Sequence, residues 1–291
     1  MKLCLSCEQL FESEDWECPH CAHSPLRIKG HLAFAPQLAT SDDGFDAGLF
    51  NKILDVENKN FWRKARIRLF SWAMTQYFPQ AINFLEIGSG NGVILREFRN
   101  VFPQIDIWGM DIYIAGVDAI KKKIPNVNLF QADARSLPFR KEFDVIGAFD
   151  VLEHVDDDTS VFQEMYKAIK PGGGILVSVP QHPFLWSQRD ECLHHKRRYT
   201  RHELLKKLNL SGFEVVRVTS FITFPFPLMV LSALKNRVPR ENYDAYAECR
   251  ISSAANKILD FGLFWEWQTI KSGVSFPFGG TLFVVGRRNN L

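Results

Sequence analysis

The sequence predicts an α/β fold: a doubly wound, mostly parallel sheet of seven strands, with a small N-terminal ribbon and an insertion between strands six and seven. Two observations carry this prediction. From residue 82 onward, short apolar segments alternate with amphipathic segments of helical period, which is typical of parallel sheets covered by helices. A loop rich in glycine also follows the first apolar segment, at the point where a strand would turn into a helix.

Each element can be placed along the chain. The predicted strands are the apolar runs at residues 82–88, 105–112, 127–133, 143–152, 174–180, 213–220 and 281–288. The predicted helices occupy residues 50–78, 91–100, a segment ending at 123, 158–170 and 201–210. Thr200 and Glu203 have the spacing of a capping box, which predicts the start of the last helix. Pro171 and the three glycines after it are expected to end the helix before them.

The first predicted helix is amphipathic. Its apolar residues recur at three- and four-residue spacings between residues 61 and 73, which predicts one face packed on the core. Its basic residues are expected largely on the other faces; they are Arg63, Lys64, Arg66 and Arg68.

Composition places the chain among ordinary globular proteins. Of its 291 residues, 46% are hydrophobic and 23% are charged, and the formal net charge is +2. So small a charge disfavours nucleic acid as a partner, since domains that bind polyanions are usually far more basic. The first residues show no secretory signal, and no apolar run reaches the roughly 18 residues of a membrane span. A cytoplasmic, reducing location is therefore expected.

Two C-x2-C pairs lie within the first 21 residues and comprise Cys4, Cys7, Cys18 and Cys21. Each pair can aim two thiolates at one point, and two pairs make the closed tetrahedral site that structural Zn²⁺ prefers. Two disulfides are the alternative, which a reducing location disfavours. The expected organisation is a zinc ribbon over residues 1–30, a linker and helical segment over 31–80, and the main domain over 81–291.

The glycine loop reads Leu-Glu-Ile-Gly-Ser-Gly-Asn-Gly over residues 85–92. Glycines at every second position let the backbone approach a ligand at a helix N-terminus. The dinucleotide fingerprint spaces its glycines as G-x-G-x-x-G instead, and a carboxylate beside the loop would repel a pyrophosphate. The loop therefore favours a cationic ligand, and its candidate binding residues are Glu86, Gly88, Ser89, Gly90 and Gly92.

Acidic residues also end the next two predicted strands, at Asp111 and Asp133. Ligands of open α/β sheets bind at the carboxyl ends of the strands. A carboxylate at Asp111 can accept both hydroxyls of a ribose, and one at Asp133 can accept an adenine amine. Surface solvation is the alternative for each acid taken alone, whereas three acids at three strand ends favour a nucleoside-containing cofactor.

As an ordered set, these segments resemble the class I methyltransferases that use S-adenosylmethionine, in particular the ubiquinone-biosynthesis-like branch. The similar segments are 85–92, 109–112, 131–139, 143–155 and 168–174. The resemblance implies a Rossmann-like sheet in which Glu86 and the loop face the methionine part of the cofactor. It further implies that Asp111 and Ile112 contact the ribose and that Asp133 and Ala134 contact the adenine. Asp150 is implied to lie near the sulfonium.

The loop at residues 181–200 follows the fifth predicted strand and is expected over the acceptor. Its functional interpretation makes His195 or His154 a general base, with Asp190 orienting a histidine. The candidate substrate-contacting residues are His182, Trp186, Arg198 and Tyr199, with Arg198 holding an anionic group. The alternative is a solvated basic loop that precedes a helix.

The insertion at residues 221–280 is rich in aromatic side chains. It fits the wall of an acceptor site, a peripheral membrane contact or a dimer contact. Core packing is the plain alternative, and the sequence does not choose among them.

The segment Asp150-Val-Leu-Glu-His154 lacks the Asn/Asp-Pro-Pro-Tyr pattern of amine-directed nucleic-acid methyltransferases. The resemblance therefore implies methyl transfer to a small-molecule acceptor, most simply at oxygen, in glycan, lipid or secondary-metabolite biosynthesis. Two other hypotheses stay open. One is a zinc-ribbon methyltransferase acting on RNA, and the other is an inactive binding module with a methyltransferase fold.

Overall fold

A computed structural model describes residues 1–40, 60–238, 241, 243 and 251–289. Part of the helix predicted at residues 50–78, the end of the predicted linker and parts of the insertion predicted at 221–280 lie outside these described residues.

The strands fall into two sheets. The N-terminal ribbon pairs β1 (Lys2–Leu3) with β2 (Leu10–Phe11). The central sheet contains β3 (Leu26–Ile28), β4 (His31–Ala33), β5 (Asn83–Ile87), β6 (Asp106–Asp111), β7 (Asn128–Gln131), β8 (Phe143–Phe149), β9 (Ile169–Pro180), β10 (Phe213–Phe221) and β11 (Thr281–Arg288).

The α-helices lie before and between these strands. They are α1 (Phe61–Tyr77), α2 (Val93–Val101), α3 (Ile114–Lys123), α4 (Asp158–Ala168), α5 (Gln188–Cys192), α6 (Arg201–Leu210), α7 (Phe226–Lys235) and α8 (Ser253–Lys271). The predicted start of α6 is confirmed, because the Thr200 side chain accepts a hydrogen bond from the Glu203 amide at 3.2 Å.

The central sheet has the order β10-β11-β9-β8-β5-β6-β7-β4-β3. The strands from β9 through β4 are parallel, and β11 joins β9 in antiparallel register. Strand β5 lies in the middle, and the chain leaves it first toward β6 and later toward β8. This reversal opens a crevice at the carboxyl ends of β5 and β8, which is where ligands of doubly wound sheets bind.

The mostly parallel α/β sheet is confirmed, but among the described residues it has nine strands rather than seven. The two additional strands, β3 and β4, form an antiparallel hairpin whose second strand pairs with β7. The sequence predicted the end of the ribbon and the start of a linker here, because strands of three residues are too short to show a period of two. A second difference is that β9 begins at Ile169 rather than at residue 174, so the strand includes Pro171 and the glycines that were expected to precede it.

Two apolar clusters cover the two faces of the sheet. Successive residues of β11 alternate between them, with Leu282 in one cluster and Phe283 in the other, as the two-residue period of a strand requires. The first cluster takes its helical residues from α4 and α6, and the second takes them from α1, α2, α3 and α8. The sheet is therefore covered on both faces.

Helix α1 departs from its predicted amphipathic pattern. Arg63 and Arg66 were expected on outer faces, yet both are buried, at 9% and 8% exposure. Each has an acidic partner, since Arg63 contacts Glu97 at 2.7 Å and Arg66 contacts Asp150 at 2.8 Å. Burial of an arginine requires such a partner, and the partners lie too far along the chain for periodicity to show them.

The N-terminal ribbon packs against the sheet. The Leu3 amide donates to the Pro138 carbonyl at 3.0 Å, and the Arg140 amide donates to the Met1 carbonyl at 3.0 Å. The ring of Trp16 lies edge-on to Phe34 and Phe139, with centroids 4.6 and 5.3 Å apart. The ribbon therefore shares apolar contacts with the main domain.

Two helices of the C-terminal region leave apolar side chains in solvent. Leu228, Leu231 and Leu234 of α7 are each more than half exposed. Helix α8 exposes Ile258, Phe261 and Trp265, at three- and four-residue spacings that place them on one face. Within the described ranges, no helix combines the length and the apolar character needed to cross a membrane.

Candidate cofactor and acceptor site

The glycine loop turns from β5 into α2 with left-handed backbone at Gly88, Gly90 and Gly92, where φ is 67°, 51° and 76°. L-residues rarely adopt this region. Space is also lacking at Gly88, because a Cβ atom there would lie 2.4 Å from the Val151 side chain. Both restrictions explain why the loop needs glycine.

Glu86, near the end of β5, is the acid beneath this loop. Its side chain is only 3% exposed, and its Oε2 atom has no hydrogen-bond partner within the described part of the chain. Burial raises the pKa of Glu86 well above its usual value, which the nearby Arg66 guanidinium only partly offsets. A buried carboxylate oxygen without a donor is costly, so this atom is suited to accept from a ligand.

Asp111, the last residue of β6, ties the second strand to the loop. Its carboxylate accepts from the Gly90 amide at 2.8 Å and from the Tyr113 amide at 2.9 Å. The side chain is buried, and this burial raises the pKa of Asp111 despite the hydrogen bonds. Ser89 completes the turn, since its amide donates to Met110 and its hydroxyl donates to the Glu86 carbonyl. The structure thus brings the first two predicted acids together.

Asp133 follows β7, as predicted, but its carboxylate is already engaged. The Arg135 guanidinium donates to both of its oxygens, at 2.6 to 3.1 Å. Burial alone would raise the pKa of Asp133, but the hydrogen bonds and charge of Arg135 outweigh it and lower that pKa. Ala134 beside it is buried, and the Ile112 carbonyl accepts from the Gln131 side chain at 2.9 Å. An adenine amine at Asp133 would therefore share the carboxylate with Arg135.

Asp150 follows β8 in a left-handed conformation, with φ of 53°. Its carboxylate contacts Arg66 at 2.8 Å and accepts from the Ser178 hydroxyl at 3.0 Å. The guanidinium of Arg66 also stacks on the Trp62 ring, 4.3 Å from its centroid. Arg66 is the site residue that sequence reasoning missed, because a basic residue on an amphipathic helix is usually solvated. The signal available was an arginine between apolar neighbours.

Asp190 organises the loop that follows β9. It is fully buried, and its Oδ1 lies 2.9 Å from His195 Nδ1 and 2.8 Å from Arg198 Nε. Its other oxygen accepts from the Ser187 amide at 3.0 Å. Burial alone would raise the pKa of Asp190, but the hydrogen bond from His195 and the charge of Arg198 lower it. Asp190 therefore holds two of the loop's predicted functional residues, His195 and Arg198, in place.

His154, which follows the neighbouring parallel strand β8, lies against this loop. Its ring meets the His195 ring edge-on, with centroids 4.9 Å apart. Burial is the main cause that lowers the pKa of His154, to about 4. Between β8 and His154, Glu153 is 1% exposed, and neither of its carboxylate oxygens has a hydrogen-bond partner among the described residues. Burial raises the pKa of Glu153 well above its usual value.

The four predicted substrate-contacting residues lie in three different settings. Arg198 lies near His182. Burial is the main cause that lowers the pKa of His182, and the positive charge of Arg198 lowers it further. Trp186 follows a short turn and its indole NH donates to Glu191 at 3.4 Å. Tyr199 is fully buried, and its hydroxyl is within 2.6 Å of Asp158 and 3.1 Å of the Leu152 carbonyl. We therefore leave Tyr199 out of the residues proposed to touch a substrate.

The four N-terminal cysteines converge. Their sulfur atoms all lie within 4.8 Å of one another, and the pairs Cys4–Cys21 and Cys7–Cys18 are 3.6 and 3.7 Å apart. Ligands at the Zn–S distance of about 2.3 Å in a tetrahedron are about 3.8 Å apart, whereas a disulfide needs about 2.05 Å. Residues Glu8 and Ala22, just after each pair, adopt positive φ. The cluster is compatible with a zinc ribbon.

A family model described as a methyltransferase domain matches residues 55–218. This match covers more than half of the chain. The chain belongs to the methyltransferase-domain family. Its fold and its relatives are similar to those of class I methyltransferases.

Two curated relatives are similar over part of their length. A malonyl-[acyl-carrier protein] O-methyltransferase of Priestia megaterium is 27% identical over 113 residues, which is 38% of this chain and 41% of the relative. A ubiquinone/menaquinone biosynthesis C-methyltransferase of Desulfotalea psychrophila is 27% identical over 128 residues, covering 43% and 50%. The chain thus spans half or less of the length of these methyltransferases.

A solved methyltransferase has the same fold. Phosphoethanolamine N-methyltransferase 2 of Haemonchus contortus, in complex with S-adenosyl-L-methionine, gives a TM-score of 0.56 at 18% identity. The similarity covers 90% of this chain and 61% of that one. At this identity it bears on the fold of this methyltransferase domain alone.

Proposed function

We propose that the chain binds S-adenosylmethionine and transfers its methyl group to a small-molecule acceptor, most simply to an oxygen atom. The observation that carries the proposal is the buried Oε2 of Glu86, which has no partner among the described residues, beneath a glycine loop fastened to Asp111. When bound, S-adenosylmethionine supplies a methyl group activated by the positive charge of its sulfonium. A cationic cofactor with an amine and a ribose matches these two acids.

Each part of the cofactor has a proposed partner in this chain. Glu86 would accept from the ammonium group, and the backbone of Gly88, Ser89, Gly90 and Gly92 would line the same end. Asp111 and Ile112 would meet the ribose. Asp133 and Ala134 would meet the adenine, and Asp150 would lie toward the reacting sulfonium. In this arrangement the acids stand at successive strand ends along one crevice.

The acceptor is proposed to lie between the end of β8 and the loop after β9. His154 and His195 face each other there and are the candidate catalytic residues. Asp190, which touches His195 rather than the acceptor, is a positioning residue. Transfer to a hydroxyl requires that its proton be released, which gives the two histidines a role. Arg198 and His182 would bind the polar part of the acceptor, and Trp186 lies on the same loop.

The acceptor is proposed to have an apolar part. The His182 ring lies 5.4 Å from Phe226 at the start of α7. The Arg237 guanidinium donates to the Phe184 carbonyl at 2.9 Å, so the loop after β9 and the end of α7 are joined. Exposed leucines of α7 continue from this junction. A polar head at the histidines and an apolar tail along α7 would use both surfaces.

The ribbon is proposed to bind one Zn²⁺ through Cys4, Cys7, Cys18 and Cys21, as a structural site. Four thiolates fill the tetrahedral coordination sphere, so no position stays open for a substrate. Its contacts with residues 138–140 would tie the N-terminus to the main domain.

The proposal is tested by methyl transfer from radiolabelled S-adenosylmethionine into fractionated extract of a cell that makes the protein. Label is expected in small metabolites or lipids, at an oxygen, and its appearance should require the catalytic histidines. An Asp111→Ala variant serves as the matched negative control. Label in RNA alone would replace the proposal with the RNA-directed hypothesis, and binding without transfer to any fraction would favour the inactive module.

A further inference from the structure

Three side chains converge at the acceptor side of the crevice: Glu153, His154 and His195. One potential ligand atom from each lies within 4.8 Å of the others. Glu153 and His154 come from the turn after β8, and His195 comes from the loop after α5. The Lys196 amide donates to the Glu153 carbonyl at 2.7 Å, which holds the two segments together.

Glu153 is the member that points to a ligand. Its side chain is 1% exposed, and neither carboxylate oxygen has a hydrogen-bond partner within the described ranges. A buried carboxylate with both oxygens unpaired is among the costliest groups a protein can hold, and such groups are paired or coordinate metals. One of these oxygens lies within 4.8 Å of a ring nitrogen of His154 and of one of His195, and imidazoles are themselves metal ligands.

The hydrogen-bond partners of the two histidines also match those of a metal site. His195 presents Nδ1 to Asp190 Oδ1 at 2.9 Å, which directs Nε2 away from that carboxylate. Asp190 is fixed in turn by Arg198 and by the Ser187 amide. His154 has a hydrogen-bond interaction with the backbone of His194. Metal-bound histidines almost always use their other ring nitrogen in this way, toward a carboxylate or a backbone carbonyl.

We propose that Glu153, His154 and His195 bind a divalent transition-metal cation. Two imidazoles and one carboxylate suit ions such as Mn²⁺, Fe²⁺ or Zn²⁺ better than Mg²⁺ or Ca²⁺, which prefer oxygen ligands alone. Ligand atoms on such an ion are about 3 to 4 Å apart, so the present spacing needs only a small closure. The site takes a cation with three protein ligands, which leaves coordination positions for another molecule.

Both acidic and basic side chains surround the cluster. The carboxylates of Asp150 and Asp190 lie nearby, together with that of Glu153, and their neighbours Arg66 and Arg198 supply two positive charges. On the proposed function, the open positions face the acceptor, so the cation would bind the acceptor's oxygen and lower the pKa of its hydroxyl. The two histidines would then act as ligands of the cation, and the hydroxyl proton would pass to water. That last step rests on the proposed function, whereas the metal site does not.

The test is a titration of the full-length protein, with its ribbon loaded with zinc, by Mn²⁺. Electron paramagnetic resonance of the free Mn²⁺ ion measures how much is bound. We expect one Mn²⁺ per chain, and a loss of that binding by at least about tenfold in Glu153→Gln and in His195→Gln. Glu214→Gln and His202→Gln, at exposed positions of β10 and α6, are the matched controls and should bind as the wild type does.

Folding of each variant is checked by its thermal unfolding curve. Mn²⁺ should raise the unfolding temperature of the wild type and of the controls, and it should leave that of the folded Glu153→Gln variant unchanged. Wild-type protein that binds S-adenosylmethionine but no Mn²⁺ would overturn the metal site and leave the proposed function standing. Mn²⁺ binding without S-adenosylmethionine binding would overturn the proposed function and leave the metal site standing. Equal Mn²⁺ affinity in Glu153→Gln and wild type would also overturn the site.

Asp190 gives an independent check as a positioning residue. Asp190→Asn keeps the shape of the side chain but removes the charge that faces His195. The affinity for Mn²⁺ should fall by about 10- to 100-fold, as for other partners of metal-bound histidines, while the affinity for S-adenosylmethionine stays the same. A parallel fall of both affinities would show that Asp190 only supports the loop, and would remove it from the metal site.

Discussion

Arg66 of helix α1 and Asp150 after strand β8 form an ion pair of 2.8 Å in the floor of the crevice. The pair joins a helix to a sheet and fixes a residue with positive φ. The same guanidinium partly offsets the charge of Glu86 and of Glu153. Arg66 thus interacts electrostatically with three carboxyl groups at the proposed site, those of Asp150, Glu86 and Glu153.

Replacing Arg66 by Ala should therefore cost more than the loss of one surface charge. A buried pair broken on one side leaves an uncompensated carboxylate, so we expect about 2 to 4 kcal/mol lower free energy of unfolding. Arg68→Ala is the matched control on the same helix, because Arg68 pairs with Asp260 at 2.7 Å at a more exposed position. Its cost should be about 1 kcal/mol or less. Urea denaturation measures both, and equal losses would refute the special role of Arg66.

Asp111→Ala should weaken the affinity for S-adenosylmethionine by at least about tenfold, equal to about 1.4 kcal/mol. The variant removes the proposed ribose acceptor and also frees the Gly90 amide that Asp111 now holds. Asp118→Ala, on the surface helix α3, controls for the loss of one carboxylate. Calorimetric titration gives both affinities. An unchanged affinity in Asp111→Ala would rule out its ribose role.

Glu86→Gln should separate binding from stability. The pKa of Glu86 is raised by burial, so the folded state holds a proton that the unfolded state loses. Its contribution to stability is present at low pH and is lost as the pH rises from the usual value of 4.5 toward the raised one. Glutamine does not titrate, so the variant does not lose this stability as the pH rises. From pH 5 to pH 8, its free energy of unfolding should therefore rise relative to that of the wild type by about 1 kcal/mol or more.

The measurement is urea denaturation at both pH values, with Glu214→Gln at an exposed position of β10 as the control for a lost charge. Cofactor affinity of Glu86→Gln should fall at the same time, because an amide offers less to an ammonium group than a carboxylate does. A variant that loses stability at pH 8, or that binds the cofactor as well as wild type, would contradict the role given to Glu86.

Cys4→Ser with Cys7→Ser should release zinc. We expect metal analysis by mass spectrometry to find one Zn²⁺ per wild-type chain and none in the double variant. The ribbon segment should then lose protection from hydrogen exchange, while β5 and β8 keep it. Cys192→Ser, at an exposed thiol outside the cluster, is the control. A wild-type protein free of metal with a protected N-terminus would disprove the ribbon.

Tyr199→Phe tests the distinction between packing and substrate contact. The variant loses hydrogen bonds to Asp158 and to the Leu152 carbonyl, and should lose about 1 to 2 kcal/mol of stability. The KM for the acceptor should not change, since the hydroxyl is enclosed by protein. Arg198→Lys, by contrast, should raise that KM. A raised KM in Tyr199→Phe would return Tyr199 to the substrate-contacting residues.

Much of the fold could be predicted because parallel strands are short, apolar and separated by amphipathic helices. The parallel strand β6, at Asp106–Asp111, lies within the predicted run of residues 105–112. The hairpin of β3 and β4 could not be predicted in this way. Its three-residue strands carry no period, and it is ordered by pairing with β7, a contact between residues far apart in the chain.

The same distinction between local and distant contacts applies to the candidate site. Glu86 and Asp111 could be predicted, because a glycine loop and a strand end mark their positions. The burial of Arg66 and the unpaired carboxylate of Glu153 could not, since both depend on which distant segments pack around them. The hydrogen bonds from Arg135 to Asp133 could not be predicted either, because a spacing of two residues allows this contact but does not require it.

The central claim is that the crevice binds S-adenosylmethionine, and isothermal titration of the wild-type protein with this compound tests it most directly. The account predicts saturable binding at one site per chain, with a dissociation constant well below about 1 mM, which corresponds to more than about 4 kcal/mol. Absence of binding at millimolar S-adenosylmethionine by a folded protein would contradict it.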